Sequence, residues 1–207
     1  MSAALSPELG VLGLIGLIAF IALGAVALIG VVGLKAGVVM GLLRGAFGAR
    51  GALPTLWVGV VAAAVGVIVA SHPIEEVAAR AATYDLASSG WRADDVQAVA
   101  EPLGAFFVRN SDGATRARFA DLGAVSPSDW RAALPAFIAK SLTDAFKIGF
   151  WLLLPLMAVD VLVGLVLASG NLPQVPARAL SLPLKVLVFI TADGWSLLLE
   201  GLLTGYR

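Results

Sequence analysis

Four apolar runs and one polar stretch make up this chain. Residues 9–34 are nearly free of polar side chains, and the run extends toward Leu43. A second run covers residues 53–70, inside an uncharged stretch from 51 to 71. A third covers 148–168 and a fourth 182–203. A membrane-spanning helix needs about 20 apolar residues, so each run is of bilayer length. Residues 72–147 carry most of the charges of both signs. The pattern predicts an all-α membrane protein. It has a hydrophobic helical hairpin over 1–71, a polar helical insert over 72–147 and a second hydrophobic hairpin over 148–207. Within the insert, Val96, Val99, Leu103, Phe106 and Phe107 recur at helical spacing behind Asp94 and Asp95, as in a helix with acids in its first turn. His72-Pro73 followed by Glu75-Glu76 predicts another helix start, with proline in the first turn. Ser126 and Asp129 predict a third start through capping. Residues 110–113, Asn-Ser-Asp-Gly, read as a turn. No stretch alternates with period two, so no sheet is expected.

Composition sharpens the class. The 207 residues are 59% hydrophobic and 14% charged, against about 25% charged for a soluble domain. Mean hydropathy is +0.94. Fourteen basic and 14 acidic residues cancel, which argues against a nucleic-acid surface. There is no cysteine, hence no thiolate chemistry or disulfide, and the single histidine, His72, cannot supply a two-imidazole metal site. No catalytic residue, cofactor or metal is expected. The first charge is Glu8, and no basic segment precedes the first apolar run, so that run reads as an uncleaved span.

Lysine and arginine set the orientation. Lys35, Arg44 and Arg50 lie between the first two runs, and Arg178 and Lys185 between the last two. Both links fall on one side of a four-span topology, and that side is expected to be cytoplasmic. The insert would then be periplasmic in a bacterium.

Several polar and small residues inside the apolar runs are candidate functional positions. Ionisable groups in bilayer-length segments are costly, and they persist where protein or water surrounds them. Asp160 sits near the middle of the third run, and Asp193 near the middle of the fourth. Each either pairs with a base, caps a helix break, or belongs to a proton path. Lys185 precedes Asp193 by eight residues, roughly 12 Å along a helix and about 80° around it, so the two are poor direct partners. A partner on another chain would satisfy either. Gly33, Gly37, Gly41 and Gly45 form a four-rung ladder on one helix face, suited to close helix packing. Lys35 beside it either snorkels to the interface or pairs with an acid. Pro155 and Pro183 each remove a helix donor and should bend or break their helices. Leu172, Pro173, Gln174 and Val175 make a helix-poor link, either an ordinary turn or the lining of a constriction.

The order of these pieces resembles the FliP/SctR (YscR) family of inner-membrane export-apparatus proteins in flagellar and virulence type III secretion. The residues that carry the resemblance are Pro135-Ala136-Phe137-Ile138, Ala145-Phe146 with Ile148-Gly149-Phe150, Pro155, Asp160, Ser181-Leu182-Pro183 with Lys185, Phe189, and Asp193-Gly194-Trp195. Leu42-Leu43-Arg44 with Gly48 and Pro54, His72-Pro73-Ile74, and Pro102-Leu103 with Phe106, Arg109 and Phe119 extend it upstream. The chain departs from the family at Lys140-Ser141-Leu142, where a Ser-Glu-Leu triplet is usual. It departs again after Gly170, where a methionine-rich pore loop is replaced by Asn171-Leu172-Pro173-Gln174-Val175-Pro176.

The resemblance implies a non-enzymatic pore subunit. Five copies would form a ring with a small two-helix partner and a larger related one, and unfolded secretion substrates would pass through its centre. Asp160, Lys185 and Asp193 would make contacts between subunits, and Leu172, Pro173, Gln174 and Val175 would narrow the pore. Two other readings stand beside it: a proton-coupled transporter or channel using Asp160 and Asp193, and a membrane-anchored protein whose insert binds an outside partner.

Overall fold

The computed structural model describes residues 7–49, 52–83, 93–172 and 174–206. Among these the protein is all-α, with seven helices and no strand. Helix α1 spans Pro7–Ala46, α2 Ala52–Thr83, α3 Ala93–Asn110, α4 Gly113–Gly123, α5 Trp130–Ser169, α6 Ala177–Thr191 and α7 Gly194–Leu203. Three are long and apolar enough to cross a membrane: Ile21–Ala46 of α1, Pro54–Thr83 of α2, and α5. The bent pair α6 and α7 makes a fourth if counted as one span. The chain is therefore an all-α membrane protein.

Helix α1 begins on Pro7, whose missing donor is harmless in a first turn. It stops in a glycine-assisted turn. Gly48 takes the left-handed conformation (φ 63°). The Ala49 amide then reaches back to Arg44 O at 3.0 Å, and the Gly48 amide reaches Gly45 O at 2.9 Å, a Schellman closure.

The prolines do not break their helices. Residues 72–73 do not start a new helix, because α2 runs through Pro73 to Thr83. The physical reason is a continuous apolar face. Ala70, Pro73, Val77 and Ala81 are all buried, at spacings of three and four, so the tertiary contact outweighs one lost backbone bond. Ser71 Oγ donates to Ile68 O at 2.9 Å in the same turn. Pro155 likewise lies within continuous α5, and Pro183 within α6. The interruption falls instead at Ala192 and Asp193, where the axis turns by 63°. Asp193 holds a left-handed backbone, with φ at 49°.

The starts expected at Asp94–Asp95 and Ser126–Asp129 are present. The Arg131 amide donates to Asp129 Oδ1 at 2.9 Å. The turn at 110–113 opens a helix that its sparse apolar content had hidden. Asp112 caps α4 by accepting from the Thr115 amide at 2.9 Å. Those bonds to Thr115 pull the Asp112 carboxyl below its ordinary value.

The contacts divide the chain into two compact units. One holds the chain up to Val32 with Gly66–Lys140, and the other holds Gly33–Val65 with Ser141–Tyr206. Helices α2 and α5 pass the expected domain boundaries at 71/72 and 147/148 without interruption. In the first unit, Val77, Ala81 and Val99 form a buried cluster with Ile21 and Leu103 against it. Phe106, Phe107 and Phe137 stack beside one another at 5.5–5.7 Å between ring centroids. The second unit carries the candidate site.

Candidate functional site

Helix α6 presents Ser181, Lys185 and Phe189 on one buried face, each four residues from the next. That face brings Lys185 to two acceptors. Its Nζ lies 2.6 Å from Asp160 Oδ2 on α5 and donates to Ala46 O at the end of α1, at 2.7 Å. Lys185 is 8% exposed at its side chain, while Asp160 is 50% exposed. A buried ammonium is thus tied to a half-exposed carboxylate and to a helix end.

The second bond completes a cap. A helix leaves its last four carbonyls without partners. In α1 these are Leu43, Arg44, Gly45 and Ala46. Phe47, Ala49 and Gly48 amides take the first three, and Lys185 takes the fourth. The positive charge also faces the negative end of the α1 dipole. Arg178 adds a further bond in the turn beyond, donating to Gly48 O.

Lys35 does the same for α7. It is 3% exposed, and its Nζ donates to Gly201 O at 2.8 Å and Leu202 O at 3.2 Å. Thr204 N takes Glu200 O, and Tyr206 N takes Leu203 O. Lys35 therefore points inward rather than snorkelling, and it stands 5.2 Å from the centroid of the Tyr206 ring. Burial pushes the Tyr206 hydroxyl up to about 12, and the charge of Asp144 adds to the shift. The sequence signal for this cap was a lysine embedded between Gly33 and Gly37 in an apolar run. The carbonyl acceptors, more than 160 residues away, carried no signal of their own.

Asp193 stands apart from the Asp160–Lys185 pair. It is exposed and precedes α7 without a side-chain capping bond. Its neighbour Gly194 is buried against Phe189, whose ring atoms would lie 2.5 Å from an added Cβ. A larger residue there would have to displace the Phe189 ring.

The glycine ladder divides in two. An added Cβ at Gly33 would sit 2.5 Å from Ala62 O, and one at Gly37 3.6 Å from Ala62 Cβ. These two rungs let α2 approach α1. Gly41 and Gly45 have nothing within 4 Å of that position. Two further close approaches escaped the ladder pattern: Gly66 against Ile29, and Gly149 against Leu42.

The α5–α6 link is short. Asn171 is left-handed (φ 53°), and the Leu172 amide closes on Leu167 O at 3.1 Å. Leu172 and Gln174 are exposed and Val175 is half-buried, with its amide on Leu172 O at 3.2 Å. Pro173 lies outside the described residues. No group of three or more metal-binding side chains occurs among the described residues.

A family model described as the FliP family matches residues 12–202. "Pathogenicity-related ORF2" of Xanthomonas campestris pv. glycines is 34% identical over 82% of this chain and 84% of its own length. "Hypersensitivity response secretion protein HrcR" of Ralstonia nicotianae is 30% identical over 82% of this chain and 85% of its own. "Flagellar biosynthetic protein FliP" of Rhizobium meliloti is 31% identical over 55% of this chain and 49% of its own.

Proposed function

The chain belongs to the FliP family, and from that premise we propose that it is a pore-forming structural subunit of a type III secretion export gate in the bacterial inner membrane. Several copies assemble with the small two-helix and the larger hydrophobic gate subunits. Unfolded substrate chains pass through the centre of the ring, and the polar stretch 72–147 lies on the periplasmic side. The end of α1 that carries Arg44 and the start of α6 that carries Arg178 lie on the cytoplasmic side.

One observation carries the assembly. Lys185 engages Asp160 through Oδ2, yet half of the Asp160 side chain remains exposed. It lies on a helix whose neighbouring side chains Met157, Val161 and Leu162 are exposed and apolar. A carboxylate in that setting is stabilised when a second donor covers it. The adjacent copy supplies such a donor in this reading, and Asp193 offers a second acceptor at the α6–α7 break. Leu172, Pro173, Gln174 and Val175 narrow the channel, with aliphatic groups where a methionine-rich loop is usual. Gly41 and Gly45, open within the chain, receive a helix of another subunit.

Coverage favours the virulence branch over the flagellar one. The Xanthomonas pathogenicity-related and Ralstonia hypersensitivity-response relatives align over more than four fifths of their own lengths, while the Rhizobium flagellar relative aligns over about half.

Secretion and assembly measured together test the proposal. Lys185→Ala and Asp160→Asn should each lower secretion of a native substrate and release subunits from the complex purified with its gate partners. Normal secretion from an intact complex in both variants would reject the role given to the pair. Purification of the chain as a stable monomer from cells that express the partner subunits would reject the gate assignment itself.

A further inference from the structure

A groove of about 380 Å³ opens beside the end of α1 and the α6–α7 break. Leu43, Phe47, Trp57, Phe189, Ile190 and Trp195 form its walls. Phe47 meets Phe189 edge-on at 5.9 Å, and Phe189 meets Trp195 edge-on at 5.5 Å. The aromatic wall is therefore continuous and leaves Trp57 and Trp195 exposed. The volume falls in the roughly 300–1,000 Å³ range of small-ligand pockets.

Charge is confined to one place. Among the described lining residues Arg44 alone is ionisable, and it lies in the last turn of α1. The Arg178 guanidinium reaches the same turn through Gly48 O, beside the lining residue Ala49. Arg44 bonds Thr55 Oγ1. A guanidinium carries five N–H donors, so each arginine has donors beyond the bonds named here. The third cation nearby, Lys185, is balanced by Asp160. The groove is thus an apolar slot with one ionisable lining residue, Arg44, at its α1 end, and the Arg178 guanidinium is bonded to the turn that follows.

We propose that this slot binds an anionic phospholipid, with an acyl chain along the aromatic wall and the phosphate on Arg44 and Arg178. Three features select a lipid over a partner helix. The lining helices are of membrane-span length and composition. Exposed tryptophans beside arginines are the chemistry of the bilayer interface. Arg44 in the last turn of α1 and Arg178 in the first turn of α6 put this end at the cytoplasmic leaflet, which is the anionic one. Bidentate arginine contacts to a phosphate supply the headgroup preference. The proposal depends on membrane insertion and not on the export role.

Tryptophan quenching by brominated lipid tests it. The full chain is reconstituted in nanodiscs whose acyl chains carry bromine, with either phosphatidylglycerol or phosphatidylcholine headgroups. The signal is the difference between the native chain and Trp57→Phe/Trp195→Phe. Quenching should reach half-maximum at a phosphatidylglycerol fraction about fivefold lower than for phosphatidylcholine, per arginine engaged. Arg44→Gln should reduce that ratio, and Arg44→Gln/Arg178→Gln should abolish it, while quenching by phosphatidylcholine persists. Val58→Phe, which fills the groove from α2, should weaken quenching by both lipids. Equal quenching by the two headgroups in the native chain overturns the site. So does absence of quenching at Trp57 and Trp195, the result expected if a helix of another subunit fills the groove.

Discussion

Lys185 holds Asp160 at 2.6 Å with the same ammonium that closes the end of α1 at Ala46 O. One buried side chain on α6 thereby joins α5 and α1. The two bonds differ in kind. The carbonyl contact is a charge-assisted hydrogen bond from a buried ammonium, and the carboxylate contact is to an acid whose side chain is half exposed.

Lys185→Met should therefore cost about 2 kcal/mol in the isolated chain, the range of one hydrogen bond to a charged group. That is less than the roughly 3–5 kcal/mol for breaking a fully buried ion pair. Asp160→Asn keeps an acceptor for Lys185 and should cost less than Lys185→Met. Denaturation midpoints in detergent, compared with the native chain, check both the size and the order. Equal losses would mean that the ion pair and not the helix cap holds these three helices.

Lys35 performs the corresponding task for α7. Lys35→Met removes both donors from Gly201 O and Leu202 O and should cost about 2–3 kcal/mol. The effect should be local before it is global. Hydrogen exchange should rise in residues 198–206 ahead of any change in α5. Lys35→Arg should not restore the native midpoint, because the ammonium fits beside Gly205, where only 2.7 Å separates Nζ from an added Cβ.

Tyr206 gives this corner an alkaline limit. Its hydroxyl is held neutral by burial first and by Asp144 second, and its pKa rises from 10.0 to about 12. Neutral tyrosine is thus the form the folded chain favours. Its contribution to stability is complete below pH 10 and is lost as pH rises through 12. The tyrosinate absorbance difference between the native chain and Tyr206→Phe should titrate near 12. Asp144→Asn should move that titration downward while leaving it above 10.0, since burial remains.

The broad architecture was legible because apolar runs of bilayer length leave few alternatives to helix. Boundaries at Asp94–Asp95 and Ser126–Asp129 were legible because capping is local chemistry. Helix α4 was not, since its 11 residues bury only Ala120 and lean on the Asp112 cap. Pro73 misled for a tertiary reason. Pro73 lies on a buried stripe that continues to Ala81, so packing carries α2 past a residue that locally opposes it. The break at Asp193 was one of the alternatives read for that acid, but its left-handed backbone has no spacing signal and its side chain makes no capping bond. At the candidate site, the sequence singled out Asp160, Lys185 and Asp193. It did not reveal that a backbone carbonyl of α1 would join the Asp160–Lys185 pair, since carbonyls are present at every position.

The glycine ladder separates contacts within the chain from contacts proposed between chains. Gly33→Ala drives a methyl into the backbone of Ala62, and backbone cannot rotate away. The helices must separate, and a loss of about 1–3 kcal/mol is expected, as for overpacking. Gly41→Ala meets nothing within 4 Å and should leave the isolated chain unchanged. Gly41→Leu should also spare the isolated chain but disperse the oligomer, read by size-exclusion chromatography. Dispersal by Gly33→Ala alone, with Gly41→Leu still assembled, would confine the ladder to packing within one chain.

Asp193 offers the sharpest division between folding and assembly. Its backbone is left-handed, at φ 49°, a conformation that costs most L-residues about 1–2 kcal/mol and glycine nothing. Its side chain is exposed and makes no capping bond to α7. Within one chain, then, the carboxylate contributes nothing that offsets the strained backbone. Asp193→Gly should raise the denaturation midpoint of the isolated chain, by up to about 1 kcal/mol because aspartate tolerates this region better than most residues. In the assembled gate the same substitution removes the acceptor proposed to meet a neighbouring copy. Secretion and complex recovery should fall although the subunit itself is more stable. Asp193→Asn, which keeps the backbone preference and an acceptor oxygen but loses the charge, should fall between the native chain and Asp193→Gly in assembly. A variant chain that is more stable and assembles as well as the native one would show that no subunit contact depends on this carboxylate.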